Sequence, residues 1–197
     1  MAQRTILIWP NPALSQRAKP VGPNDTSLPT LVRDLFDTMY ANDGIGLAAT
    51  QVGDMRRVLV LDLDASGQAK RDPEVRAELA SWGWAGPIAL INPEIVAASG
   101  DIVWEEGCLS VPGVLDGVRR KAHIEVRAQD ARGAPLHFHA DGLYAVAVQH
   151  ELDHLNGRVF VEYLSKLKRD VIRRKMQHLM PEPESAQGRP RRAGSGR

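Results

Sequence analysis

The chain has 197 residues, 43% of them hydrophobic and 25% charged, with a formal net charge of +1. That length carries one domain with a sizeable core, with or without a tail. The composition excludes a disordered chain, the near-neutral charge gives no basis for a DNA-binding or generally nucleic-acid-binding protein, and the single cysteine, Cys108, excludes an internal disulfide.

No apolar run reaches membrane-spanning length. Ahead of Pro10 only Ile6-Leu7-Ile8-Trp9 is apolar, too short for a signal-peptide core, so the expected location is the cytoplasm. Residues 5–9 read as a short strand, followed by a turn at Pro10-Asn11-Pro12 and a loop over 19–24. From Leu28 the apolar residues Leu31, Leu35, Phe36, Met39 and Tyr40 mark one face of a helix. Ser27 or Thr26 caps it, and Asn42-Asp43-Gly44 ends it.

Residues 44–53 (Gly-Ile-Gly-Leu-Ala-Ala-Thr-Gln-Val-Gly) are almost all small or apolar, and Gln51 is the one long polar side chain. The glycine spacing fits neither nucleotide-binding pattern, so by itself the stretch reads as a tight connection. Residues 57–63 form a strand buried at its centre. Residues 64–84 form a polar surface excursion with a short helical stretch at 73–79. Strands are expected at 88–92 and 95–98, joined by Pro93-Glu94, and at 101–104 after Gly100. Residues 118–130 alternate as one long strand, and Arg132-Gly133 turns the chain into a strand at 136–140.

The next helix carries Gln149-His150-Glu151-Leu152-Asp153-His154. Asp141 is its expected cap, Leu143, Val146 and Ala147 make its apolar face, and Asn156-Gly157 stops it. His150 and His154 are four residues apart, so both imidazoles stand on one face, one turn apart, able to share a metal ion. Glu151 lies between them, in reach of a water on that metal. A helix can carry two histidines and a carboxylate by accident, but an apolar helix does not bury such groups without partners. After it, residues 164–180 form a C-terminal amphipathic helix with apolar Leu164, Leu167, Val171, Ile172, Met176 and Leu179. Its polar face is basic, with Lys166, Lys168, Arg169, Arg173, Arg174 and Lys175, and such a face is most often simply solvated. Residues 181–197, rich in Pro, Gly and Arg, read as a disordered basic tail, which leaves residues 1–180 as a single catalytic domain.

A catalytic metal site needs a third protein ligand and an open position. Downstream of the histidines the candidates are Glu162, Asp170 and His178. Upstream, Cys108 offers a thiolate at a glycine-flanked strand end, although a lone cysteine is more often a small buried hydrophobe. The pattern alone is shared by metal-dependent hydrolases, zinc endopeptidases among them.

Three segments together are more specific. Gly-Ile-Gly-Leu-Ala-Ala-Thr-Gln (44–51), Glu-Gly-Cys-Leu-Ser (106–110) and Gln-His-Glu-Leu-Asp-His (149–154) resemble, in order and approximate separation, the three motifs of the peptide deformylase family in its bacterial form. The resemblance extends from about residue 6 to about residue 180. It implies an α+β fold, with antiparallel sheets packed around the metal-binding helix and a C-terminal helix outside. It implies one divalent metal, Fe²⁺ in cells and replaceable by Ni²⁺, Co²⁺ or, with weaker activity, Zn²⁺, held by Cys108, His150 and His154. Glu151 would be the general acid and base, Gln51 and the backbone N–H of Leu109 would bind the oxyanion, and Gly46 would offer backbone to the peptide. The activity implied is removal of formate from N-formylmethionyl nascent peptides.

The methionine pocket would draw on Ile45, Trp104, Leu143, Val146 and Ala147, with His150 at its base, although each would serve equally as core. Some bacterial members carry an arginine a few residues after the cysteine motif. This chain has Val114-Leu115-Asp116 there, and Arg119 or Arg120 is left to take that role or a structural one. The basic C-terminal helix is the expected contact to ribosomal RNA. The rival readings are a His-Glu-x-x-His endopeptidase and a non-catalytic homologue that binds nascent chains or the ribosome.

Overall fold

The computed structural model describes residues 3–179. In chain order it contains α1 (Leu28–Ala41), β1 (Gly46–Ala48), β2 (Val58–Leu61), α2 (Pro73–Ser81), β3 (Ile88–Ser99), β4 (Ile102–Cys108), β5 (Val111–Arg120), β6 (His123–Gln129), β7 (Pro135–Asp141), α3 (Gly142–Leu155) and α4 (Lys166–Gln177). Short 3₁₀ turns lie at Pro12–Ser15, Ala49–Val52 and Phe160–Tyr163. Five strands form an antiparallel sheet in the order β1-β2-β3-β6-β7, and β4 pairs with β5 in a separate antiparallel ribbon. This is the α+β architecture expected, with α3 at its centre and α4 outside. The basic tail expected at 181–197 lies outside the described residues.

The sequence Val-Leu-Val-Leu makes β2 the hinge of the core. Successive side chains of a strand point to opposite faces. Leu59 and Leu61 enter one cluster with Ala145, Val148, Leu152 and Leu155 of α3. Val58 and Val60 enter another with Leu31, Leu35 and Met39 of α1. With helices on both sides, every residue of β2 is buried, and each fully buried Leu contributes about 2 kcal/mol. A third cluster joins Trp9, Val111, Val118 and Phe160 to Ile172 and Met176 of α4.

Several expectations are corrected. Residues 5–9 form no strand. They lie between two motif segments, with Leu7 N–H donating to the Gln51 carbonyl at 2.8 Å and Trp9 N–H, at the start of a turn, to the Ser110 carbonyl at 2.9 Å. The strands expected at 88–92 and 95–98 are one strand, β3. It passes Pro93 by register shifts after Ile91 and Ile95, and Asn92 adopts φ 51°, a conformation Asn tolerates. The Asn92 amide is held there by both backbone groups of Val21, at 2.8 and 3.0 Å. The strand expected over 118–130 is two, β5 and β6, in different sheets. Between them Gln149 of α3 accepts from Lys121 N–H at 2.9 Å and donates to its carbonyl at 2.8 Å, which fixes the break.

The stretch at 44–53 is not a plain connection but β1 followed by a 3₁₀ turn, and the helix in the excursion is the nine-residue α2. Neither expected cap side chain bonds its helix. Ser27 is held by Asp25 instead, and the Asp141 carboxylate pairs with His123 Nδ1 at 2.6 Å. The helix expected over 164–180 is the shorter α4, and only part of the expected apolar face is covered: Leu164, Ile172 and Met176 are buried, whereas Leu167, Val171 and Leu179 are exposed.

Candidate metal centre and cleft

The centre is built where α3 crosses β1 and the end of β4. Cys108 Sγ and one nitrogen each of His150 and His154 all lie within 4.8 Å of one another. Both histidines are buried and Cys108 is half-buried. The two rings stand 5.0 Å apart at 75°, as successive turns of one helix face dictate. Cys108 comes from 42 residues upstream by the pairing of β4 with β5, and its Sγ sits 3.2 Å from His154 Nε2. Of the ligand candidates weighed from sequence, Glu162 is occupied locally, taking Val159 N–H at 3.4 Å.

The donor set fits a divalent transition metal. One thiolate and two imidazoles are the ligands that Fe²⁺, Ni²⁺, Co²⁺ and Zn²⁺ favour over Mg²⁺ or Ca²⁺. His150 Nδ1 is already engaged with Glu106 Oε2 at 2.8 Å, which leaves its other ring nitrogen for the centre. Glu106 and its partner, the buried Arg120, were not foreseen in these positions. Arg120 donates to Glu106 Oε1 at 2.6 Å and Oε2 at 2.9 Å. Its third bond goes to Asp153 at 2.5 Å, and its guanidinium lies over the Tyr163 ring. Burial works against the Glu106 charge, but Arg120 and His150 outweigh it and hold the carboxyl below its ordinary range. Arg120 is thus structural, and neither it nor Arg119 lines the cleft.

Glu151 is buried, and Oε2 has no protein partner among the described residues. Burial pushes its carboxyl up to about 7. A carboxyl in that range both accepts and releases a proton near neutrality. Gly46 makes its place: a Cβ there would stand 2.5 Å from Glu151 Oε1. Gln51 is oriented at both ends of its amide. Oε1 accepts from Ala48 N–H at 2.8 Å, and Nε2 lies 3.2 Å from Ser110 Oγ and 3.6 Å from Cys108 Sγ.

A cavity of about 780 Å³ opens over these groups, within the range of small-ligand sites. Ile45, Gly46, Gln51, Trp104, Cys108, Leu109, Leu143, Val146, Ala147, His150 and Glu151 all line it. His154 sits behind them with its Nδ1 buried and without a protein partner among the described residues. Pro112, Gly113, Val114 and Leu115 also line the cavity; of these only Val114 and Leu115 had drawn notice, and not as cleft residues. Trp104 is braced edge-on by Trp82, 6.4 Å away at 87°. Trp82 comes from the excursion at 64–84, which carried no signal of a role at the cleft.

The family model described as polypeptide deformylase matches residues 3–170. A peptide deformylase of Alkalilimnicola ehrlichii is 45% identical over 180 residues, covering 91% of this chain and 92% of that protein. A crystal structure of a peptide deformylase from Legionella pneumophila superposes with a TM-score of 0.77 at 43% identity, covering 90% of this chain and 95% of that one. The Ehrlichia chaffeensis peptide deformylase, solved in complex with actinonin, superposes with a TM-score of 0.80 at 40% identity, covering 91% and 98%.

Proposed function

From the premise that the chain belongs to the polypeptide deformylase family, we propose that the cleft residues carry out that family's reaction in the roles given below. The protein is a metal-dependent hydrolase of protein biosynthesis. It removes the formyl group from the N-terminal formyl-methionine of nascent polypeptides and releases formate. The family match favours this over internal peptide-bond cleavage and over a non-catalytic binding role.

Cys108, His150 and His154 hold the metal, and Fe²⁺ is the proposed ion, with Ni²⁺, Co²⁺ or Zn²⁺ able to replace it. A divalent metal bound there lowers the pKa of a water and polarises the formyl oxygen. Glu151 accepts a proton from the water as its oxygen attacks the formyl carbon. It then delivers that proton to the amide nitrogen as the C–N bond breaks, giving formate and a free amine. The Gln51 amide and the Leu109 N–H receive the charge that develops on the formyl oxygen, and their value lies in being oriented beforehand. Gly46 offers backbone to the peptide and space to Glu151. Ile45, Trp104, Leu143, Val146 and Ala147 form the apolar pocket for the methionine side chain.

The observation that carries the assignment is the meeting of the cysteine and two histidines beside a buried carboxyl at the floor of this cavity. The experiment is formate release from formyl-Met-Ala-Ser by anaerobically purified protein, with metal content measured in parallel. Release that tracks iron or nickel occupancy is expected. Glu151→Gln is expected to keep its metal and lose about 10²–10⁴-fold in kcat. No release from fully metallated protein would overturn the assignment.

We also propose that the protein acts in the cytoplasm, and that the basic face of α4, at its exposed Arg173 and Arg174, meets ribosomal RNA phosphate. No helix of the described residues is long and apolar enough to cross a membrane. Unchanged co-sedimentation with ribosomes after deletion of residues 164–197 would count against the RNA contact.

A further inference from the structure

One wall of the cleft is tied to the C-terminal helix. In the β4–β5 ribbon Gly107 pairs with Leu115, but the next residue, Cys108, pairs with Val111. Pro112, Gly113 and Val114 are therefore expelled from the ladder as a three-residue bulge, with Gly113 at φ 68°. All three line the cleft. Backbone outside a ladder needs other partners to hold it in one place; Lys175 of α4 supplies one, and Lys168 of α4 anchors Asp116, which pairs with Glu106 where the ladder has resumed. Lys175 Nζ donates to the Gly113 carbonyl at 2.6 Å. Lys168 Nζ donates to both oxygens of Asp116, at 2.9 and 2.7 Å. Beside these lysines, Ile172 and Met176 are packed into the core with Val111 and Val118, so Lys175 reaches the bulge, and Lys168 the strand just after it, from a fixed base.

We propose that Lys175 and Lys168 are positioning residues for peptide binding. They set the bulge at 112–114 against the peptide residues that follow the formyl-methionine, and so set affinity for the chain rather than the rate of formyl removal. This rests on the deformylase assignment above. A charge-assisted bond to a carbonyl is among the stronger tethers available, and an exposed ion pair among the weaker. Lys175 therefore has the larger effect.

The test compares wild type, Lys175→Met, Lys175→Arg, Lys168→Met and Lys166→Met, at equal metal content, on formyl-Met-Ala-Ser and on formyl-methioninamide. For the tripeptide, Lys175→Met raises KM about tenfold and Lys168→Met about threefold, with kcat held. Lys175→Arg, which keeps charged donors, recovers most of the loss. For formyl-methioninamide no variant differs from wild type. Lys166→Met, which removes the same charge from the helix start, changes neither substrate. Equal effects on both substrates, a fall in kcat, or an unchanged KM for the tripeptide in Lys175→Met would overturn the proposal while leaving the assignment intact. Failure of the wild type on both substrates would overturn the assignment, and this proposal with it. All of these lysines are exposed, so thermal unfolding close to wild type is expected throughout.

Discussion

Gly46→Ala separates catalysis from stability. A Cβ at this position stands 2.5 Å from Glu151 Oε1, 3.0 Å from Glu151 Cδ and 2.9 Å from Leu61 Cδ2. Ordinary contact requires about 3.5 Å, so the Glu151 carboxyl must retreat by about 1 Å. Gly46 itself does not adopt positive φ, so alanine suits its backbone. Both neighbours are ends of side chains that yield more readily than backbone. The cost to stability is therefore at the lower end of overpacking, about 1–2 kcal/mol, and loss of glycine's freedom in the unfolded chain offsets part of it. The cost to catalysis is larger. Displacing a proton-transfer group by about 1 Å lowers the rate roughly 10²-fold, equivalent to about 2.7 kcal/mol of transition-state stabilisation. The assay is formate release at saturating formyl-Met-Ala-Ser, with metal content and thermal unfolding measured on the same protein. A kcat within about threefold of wild type, or a loss explained wholly by missing metal, would refute the claim that this glycine makes room for the carboxyl.

Three further substitutions probe the surroundings of the site. Arg120→Met leaves the buried Glu106 without its bidentate partner and should destabilise the protein by about 3–5 kcal/mol in denaturant titration; a loss under about 1 kcal/mol would show that the pair is dispensable. Gly142 holds φ 50°, and a Cβ there would lie 2.5 Å from Trp82 Nε1. Gly142→Ala should therefore destabilise by about 1–3 kcal/mol and alter the fluorescence of the Trp82–Trp104 pair, and an unchanged spectrum would argue against the bracing role of Trp82. Val146→Trp should raise KM for formyl-methionyl peptides more than for peptides beginning with a smaller formyl-amino acid; an equal effect on both would remove Val146 from the methionine pocket.

Much of the candidate site was legible because helical periodicity is a local property. Spacing of four residues puts His150 and His154 on one face whatever surrounds them. The same logic marked α1 by its apolar stripe and β2 by its Val-Leu-Val-Leu run. The errors came where two different partners were possible for one pattern. Residues 118–130 alternate throughout, but alternation does not say that β5 and β6 belong to different sheets, and the break at Lys121 depends on Gln149 arriving from α3. Asp141 has the residue type and position of a cap, but His123 across the β6–β7 pair competes for its carboxylate.

Sequence by itself determined the chemistry on offer: two imidazoles and a carboxylate on one turn of helix, one thiolate, one amide amid small residues, and a family pattern that joins them. Tertiary structure decided which of these groups meet and what stands behind them. Cys108 reaches His154 only through the β4–β5 pairing. Glu106 becomes the brace of His150 only because Arg120, fourteen residues on, is buried beside it. On α4, periodicity marked a single apolar stripe, but the molecule covers Ile172 and Met176 and leaves Leu167 and Val171 exposed. The physical reason is the same in each case. Local pattern encodes which side chains share a face, whereas burial and pairing energies depend on what the rest of the chain brings against that face.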